Sequence, residues 1–390
     1  MERTMLRATR RSLTVLGGAL AASACSEPVT TTGPAAPGQV SSSAVKFWET
    51  GSSVRWNRRA VALFRAGGGN PGRIITYLSL AQYRAVLAAE EGKLGKIHPS
   101  PSAAAAGASV VVLKQFYPAS AAAIEAELDA QRALPPWPGE KNKDFAAGEA
   151  IGRAIGAAVL AFAATDNFGV TNPGSPPVGP GYWTSSGAQT VRGGFGARPF
   201  FLASASELLL PPPPAFGSVD YLSALAEVRA TTDGRTSAQL AIARKWVPFS
   251  GVLFNELAGE LIEKHRGTEL EAARIYAYGN AAAFDAIIGC FYNKFTYWFI
   301  RPSKADVLIT IPLGLPNHPS YPSAHSCETG AWQTILVDAF PGERKMLADV
   351  AQEAAYSRVF AGLHYRFDNE AGVSLGNLAG KLALERKGLQ

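Results

Sequence analysis

A chain of 390 residues with 47% apolar content can bury a full core, which excludes disorder as its overall class. The formal net charge is +6, but Arg3, Arg7, Arg10 and Arg11 against Glu2 place +3 of it at the extreme N-terminus. The remaining excess is small, and no Lys/Arg run with interleaved aromatics occurs, so nucleic-acid binding has no support.

Residues 1–25 read as an export signal: a basic start, an apolar stretch from Leu13 to Ala22, then Ser23 and Ala24 before Cys25. Ala22-Ser23-Ala24-Cys25 resembles a bacterial lipobox, in which Cys25 carries the lipid, with simple cleavage as the alternative. Thr9-Arg10-Arg11-Ser12-Leu13 also resembles a twin-arginine motif, and either route predicts a periplasmic or surface location. Past the signal the expectation is that no apolar run reaches the ~18–20 residues of a membrane span, so that only a lipid on Cys25 would tether the chain.

Residues 26–43, rich in Thr, Pro, Gly and Ser, read as a flexible spacer. From residue 44 to 390 one α-helical domain is predicted. Apolar residues recur every three or four positions in 44–66, 74–93, 102–115, 119–132 and 143–165. In the last of these Phe145, Ile151, Ile155, Val159 and Phe162 form one stripe of a core-facing helix. Residues 166–217 break the pattern with Gly, Pro and aromatics, an irregular excursion of the kind that serves function or a partner contact. Helical patterns return at 219–229, 235–246, 249–265, 268–300, 323–339, 342–361 and 370–386, and alternating β patterns are scarce. The fold class is therefore all-α, a helical bundle, without internal repeats.

Three motifs carry candidate chemistry. Lys294 is followed seven residues later by Arg301-Pro302, a spacing that would put both cations on one helical face, with Pro302 ending the helix. In His318-Pro319-Ser320-Tyr321-Pro322-Ser323-Ala324-His325, a Pro/Ser helix start offers backbone N–H groups to an anion. Ser323 adds a hydroxyl, and His325 a group able to exchange a proton near neutral pH. In Ser357-Arg358-x5-His364-x3-Asp368 the carboxylate lies four residues from the imidazole, where it can take the Nδ1 proton and leave Nε2 free. Gly362 is expected to interrupt the helix so that Arg358 and His364 face one space. Each motif has a plain alternative: a solvated cationic face, an N-cap with a core histidine, and a surface pair.

Lys-x6-Arg-Pro, Pro-Ser-Ala-His and Ser-Arg-x5-His-x3-Asp occur in that order, with 19 residues between Pro302 and Pro322 and 31 between His325 and Ser357. This resembles the signature of the superfamily uniting type 2 phosphatidic acid phosphatases, bacterial acid phosphatases and vanadium-dependent haloperoxidases. The resemblance implies a phosphate or vanadate cage of Lys294, Arg301, Ser323, the Ala324 amide, Arg358 and His364, with the active site within 285–368. Ala324 departs from the usual Gly.

In a haloperoxidase the resemblance makes His364 the vanadium ligand. His325 would then assist hydrogen peroxide, and Lys294 would polarise it for attack by a halide, with an organic acceptor downstream. In a phosphatase acting on phosphomonoesters, His364 would be the nucleophile, Asp368 its orienting partner and His325 the acid. The late start of the motifs favours the haloperoxidase-like branch, as does His318, which matches a supporting histidine of algal bromoperoxidases. A catalytically silent anion-binding protein remains the reading from another class.

Asp285, inside an apolar run, is expected to need a partner such as an arginine of the cage. Phe291, Tyr292 and Trp298 read as core packing and His98 and His265 as surface residues. Cys290 and Cys327 are either two buried thiols or one bridge. Relatives of this type resemble oligomers, but no interface is legible.

Overall fold

The computed structural model describes residues 51–92, 98–134, 144–170, 174–185, 196–248, 250–386 and 388–389. The export signal expected at 1–25 and the spacer expected at 26–43 lie outside the described residues. Within them the chain is built of α-helices, with two isolated bridges and no strand.

The first half comprises α1 (Gly51–Gly67), α2 (Pro71–Glu91), α3 (Pro101–Phe116), α4 (Ala121–Arg132) and α5 (Phe145–Ala163). Local chemistry sets their starts. Asn70, Ser100 and Asp144 each cap a helix by accepting a backbone N–H three residues on, and Pro71 and Pro101 occupy the first helical positions. α5 presents Gly148, Gly152 and Gly156 to α3 at close range: a Cβ on Gly152 would stand 2.0 Å from the Ala104 carbonyl oxygen.

The expectation about spans needs correcting at α5. It is 19 residues long with a mean hydropathy of 1.4, enough by length and composition to cross a membrane, and 22% of that apolar window is buried. Its stripe is also displaced from the predicted one, because glycines rather than Phe145, Ile151 and Ile155 make the closest approach, and those three are half-buried. Its charges, Glu149 and Arg153, pair with each other and with Arg132 and Glu125.

The second half comprises α6 (Val219–Asp233), α7 (Ser237–Lys245), α8 (Ser250–His265), α9 (Glu269–Tyr297), the single turn α10 (Pro302–Ala305), α11 (Ala324–Ala339), α12 (Arg344–Phe360) and α13 (Arg366–Arg386). α9 is the central helix. Ala272, Ala273, Tyr276, Ala277, Ala281, Ala282 and Ala286 are all buried, and α2, α11 and α13 pack around it.

The described parts of the irregular excursion are stitched to α9 by its polar side chains. Asp285 accepts the N–H groups of Phe200 (2.8 Å) and Phe201 (2.7 Å), while Asn293 accepts from the Leu210 N–H and donates to the Leu208 carbonyl. This corrects the expectation for Asp285, whose partners are backbone amides and not an arginine. An irregular segment laid on a helix brings unpaired N–H groups with it, and a carboxylate that accepts two of them offsets its own burial.

Candidate active site

The three motifs meet where α9 ends, α11 begins and α12 turns into α13. α9 stops at Tyr297, and Trp298 takes a left-handed conformation (φ 49°). Arg301 therefore lies on an extended stretch capping α10 rather than on the helix that carries Lys294, so the predicted shared helical face does not form. The reversal at Trp298 instead swings Arg301 back toward the third motif.

Arg301 is fully buried and uses its whole fork. Nη1 donates to the Leu363 carbonyl (2.8 Å) and lies 2.9 Å from His364 Nε2, while Nε donates to the His318 carbonyl and Nη2 lies 3.1 Å from His318 Nδ1. His364 Nδ1 lies 2.8 Å from Asp368 Oδ2. A proton on Nδ1 facing the carboxylate, with the Nε2 lone pair facing Arg301, satisfies both contacts at once. The pair is not carried on one helix: Gly362, at φ +72°, ends α12, and His364 precedes α13, in whose first turn Asp368 sits.

Ser323 precedes the first turn of α11 as its N-cap, yet its side chain makes no capping bond. Its Oγ is buried without a partner among the described residues, and its N–H donates to the Asp368 carbonyl (2.9 Å), joining the second motif to the third. Ala324 has ordinary negative φ, so the methyl that replaces the usual glycine hydrogen costs no backbone strain. Arg358 is 3% exposed and donates to Ser357 Oγ and the Ala243 carbonyl.

Lys294 does not open on the cavity. Its ammonium donates to the carbonyls of Pro319 (2.9 Å), Ser320 (2.8 Å) and Pro322 (2.5 Å), clamping the loop that delivers Ser323. A buried ammonium needs three acceptors, and this loop supplies them. His318, Ala324, His325, Arg358 and His364 do face the cavity, of about 590 Å³, whose apolar wall includes Phe284, Ile287, Phe291 and Leu363. Phe291 thus contributes to the lining as well as to packing, and His318 meets its ring edge at 5.3 Å. Trp298 packs on Trp183, and Tyr292 is half-buried.

Burial and the three cations set the protonation states. Burial lowers Lys294 to about 8, and Arg301 and Arg358 to about 10 each. His325 falls to about 3, first by burial and then by the Arg358 charge, and burial with Arg301 and Lys294 holds His364 and His318 well below the usual imidazole value. All three imidazoles are neutral at pH 7. Asp368 is raised to about 6 by burial, against the pull of its Ser320 hydrogen bond and of Lys294 and Arg301. Three buried cations beside neutral imidazoles give the site a positive field that favours an anion, although Lys294 acts from behind the Pro319–Pro322 loop.

Several contributors carried no sequence signal of their own. Ser320 Oγ donates to Asp368 Oδ2 (2.5 Å), and the Tyr365 N–H reaches the same oxygen (3.2 Å). The Trp246 carbonyl lies 2.8 Å from His325 Nε2. A backbone carbonyl leaves no mark in a sequence, whereas Ser320 stood inside the second motif without an evident role. Cys290 and Cys327 are both buried thiols, in hydrogen-bond contact. His98 is exposed, and His265 pairs with Glu343 at the surface.

Residues 274–386 match the family model of the PAP2 superfamily and contain all three motifs. The match is to this region and not to the whole chain. The chain is similar in fold to a bacterial vanadium-dependent iodoperoxidase, with a TM-score of 0.69 and 23% identity over 85% of this chain and 95% of that one. It is also similar to a holo-type bacterial vanadium-dependent chloroperoxidase (0.63, 15%, 81% and 91%) and to an apo-type one (0.63, 14%, 81% and 94%). A search of curated proteins gives no match. The PAP2 region supplies the cage, and the shared all-α fold extends well beyond it. Family and fold point to an enzyme of the haloperoxidase/phosphatase kind, with small-molecule substrates.

Proposed function

We propose that the chain is a vanadium-dependent haloperoxidase-like enzyme that oxidises halide with hydrogen peroxide for an organic acceptor. The observation that carries this reading is the His364–Asp368 pair. It turns the one imidazole lone pair, at Nε2, toward the Arg301 guanidinium, while Arg358 lines the same cavity as His364 and the Ser323 hydroxyl at the start of α11 is buried without a partner among the described residues. That donor set fits a tetrahedral oxyanion with one nitrogen ligand. His364 would hold vanadate through Nε2, with Arg301, Arg358, Ser323 and the Ala324 amide around its oxygens and Lys294 behind them bracing the loop. Bound vanadate supplies a Lewis acid that activates peroxide without changing oxidation state.

The chain's own residues do the rest. Asp368 keeps the His364 proton on Nδ1, so Nε2 stays a donor. With Nε2–H of His325 directed at the Trp246 carbonyl, Nδ1 is that ring's unprotonated nitrogen, and it would accept a proton from peroxide once a bound anion raises its low resting pKa. The apolar wall excludes water from the cage and leaves room for the acceptor. In the same reading the export signal expected at residues 1–25 would carry this chemistry outside the cytoplasm.

The His364 lone pair supports a second reading, hydrolysis of phosphomonoesters. His364 Nε2 would form the P–N bond as the ester P–O bond breaks, His325 would return a proton to the leaving oxygen, and water would then release phosphate. A bound dianion raises the His325 pKa from its low resting value, as this step requires. A paired assay separates the two: vanadate-loaded protein given peroxide with bromide or iodide, and vanadate-free protein given an aryl phosphate. Halide oxidation without phosphate release is expected, and phosphate release alone would replace the first reading with the second.

A further inference from the structure

Among the described residues Glu328 is the one carboxylate in the cavity wall, and neither oxyanion reading uses it. It sits on α11 one turn after His325, is 6% exposed, and lines the same chamber as His325, His364 and Arg358. Its Oε2 accepts from Ser250 Oγ (2.5 Å) and the Gly251 N–H (3.0 Å) at the start of α8. That end of a helix favours a negative charge. Oε1 accepts no hydrogen bond, and no basic side chain pairs with the group, among the described residues. One turn further on, Trp332 also lines the cavity, and its buried indole N–H has no partner among the described residues.

Capping α8 accounts for one oxygen of Glu328 but not for a carboxylate that turns its other side to a largely apolar cavity. Buried charges are normally paired, and burial here raises the group above the usual carboxylate range without a cation to oppose it. Positions three apart on a helix place their side chains about 5–6 Å from one another, so Glu328 stands a few methylenes from the cage that His325 borders.

We propose that Glu328 forms a cation-recognising subsite, and that the cavity takes an organic ammonium group while the adjoining cage holds an oxyanion. The occupant is then an alkylamine acceptor beside the bound anion, or a single molecule that carries both charges. The indole N–H of Trp332 offers a further donor to a polar atom on that chain. The proposal rests on the oxyanion reading of the cage but not on the choice between halide oxidation and ester hydrolysis.

Aminoalkylphosphonates of two to four carbons, whose P–C bonds resist hydrolysis, test this against alkylphosphonates of equal length. Both are titrated calorimetrically into the full chain beside inorganic phosphate. At least one amino compound should bind about ten-fold more tightly than its alkyl counterpart, as expected for a charge-assisted hydrogen bond. Glu328→Gln should erase that preference while leaving phosphate affinity essentially unchanged. Equal binding of the two series, or a preference that survives Glu328→Gln, would overturn the subsite. If phosphate and both series fail to bind the unaltered protein, the oxyanion cage itself falls. Should Glu328→Gln unfold, Glu328→Asp keeps charge and cap, and the preferred amine should then be one methylene longer; an unmoved optimum counts against the proposal.

Discussion

Ser323 is where the proposed ligand binding and the needs of the fold diverge. Its hydroxyl is buried with no partner among the described residues, so Ser323→Ala removes an unsatisfied group and should leave thermal stability unchanged or slightly raised. The same change should weaken binding of phosphate or vanadate by about 1.5–3 kcal/mol, roughly ten- to a hundred-fold, because the lost bond is to a charged ligand. Titration calorimetry with a parallel melt reads both quantities. A fall in stability with unchanged affinity would make Ser323 an ordinary structural serine. At this scale the motifs named residues that the structure brings into contact, with the Ser323 N–H on the Asp368 carbonyl, Asp368 on the His364 ring, and Arg358 and His364 lining one cavity. They could not show that Lys294 spends its donors on three carbonyls, because those acceptors belong to the backbone of another segment.

Helix packing delivers the cage. α13 lies so close to α11 that a Cβ on Gly376 would stand 2.1 Å from the Cys327 carbonyl oxygen and 2.7 Å from the Ala331 nitrogen. Gly376→Ala must therefore push the two helices apart, at a cost of about 1–3 kcal/mol or more. It should also weaken anion binding, since Ser323 at the N-cap of α11 and His364 before α13 move with their helices. Gly342→Ala, where a Cβ meets nothing within 4 Å, is the matched control and should melt like the unaltered protein. An equal melting temperature for Gly376→Ala in a thermal scan would contradict this packing. Helix positions were legible from period alone, because every predicted stretch in the described residues overlaps an observed helix. The end of α9 was not, since Trp298 adopts a left-handed conformation that no residue preference announces, and extending the helix to residue 300 misplaced Arg301.

For the whole molecule, Asp285 couples the irregular excursion to the central helix and makes stability depend on pH. Burial raises its carboxyl to about 7, so the folded state holds this proton more tightly than the unfolded chain does. Its contribution is therefore fully present below pH ~4 and is lost as pH rises through 7. In Asp285→Asn that component vanishes, so the stability advantage of the unaltered protein over the variant should shrink between pH 5 and pH 8, measured by denaturant unfolding. An advantage that grows with pH would mean that the buried carboxylate is better satisfied than its two amide bonds imply. The sequence marked Asp285 as buried and in need of a partner, but a partner formed from the main chain of Phe200 and Phe201 is invisible to any reading of side chains.

The chamber is walled by parts with different obligations. One part of its wall, with His325, Arg358 and His364, lies within residues 274–386, whereas Asn70, Gly72, Ile75 and Thr76 come from the start of α2, some two hundred residues earlier in the chain. On the proposed reading, exchanges at those α2 positions would reshape which organic molecule fits without altering a donor to the anion. Selectivity and reactivity are thus free to diverge along separate lineages of substitutions, and a fragment confined to the motif-bearing half would keep the tools but lose the room in which they operate.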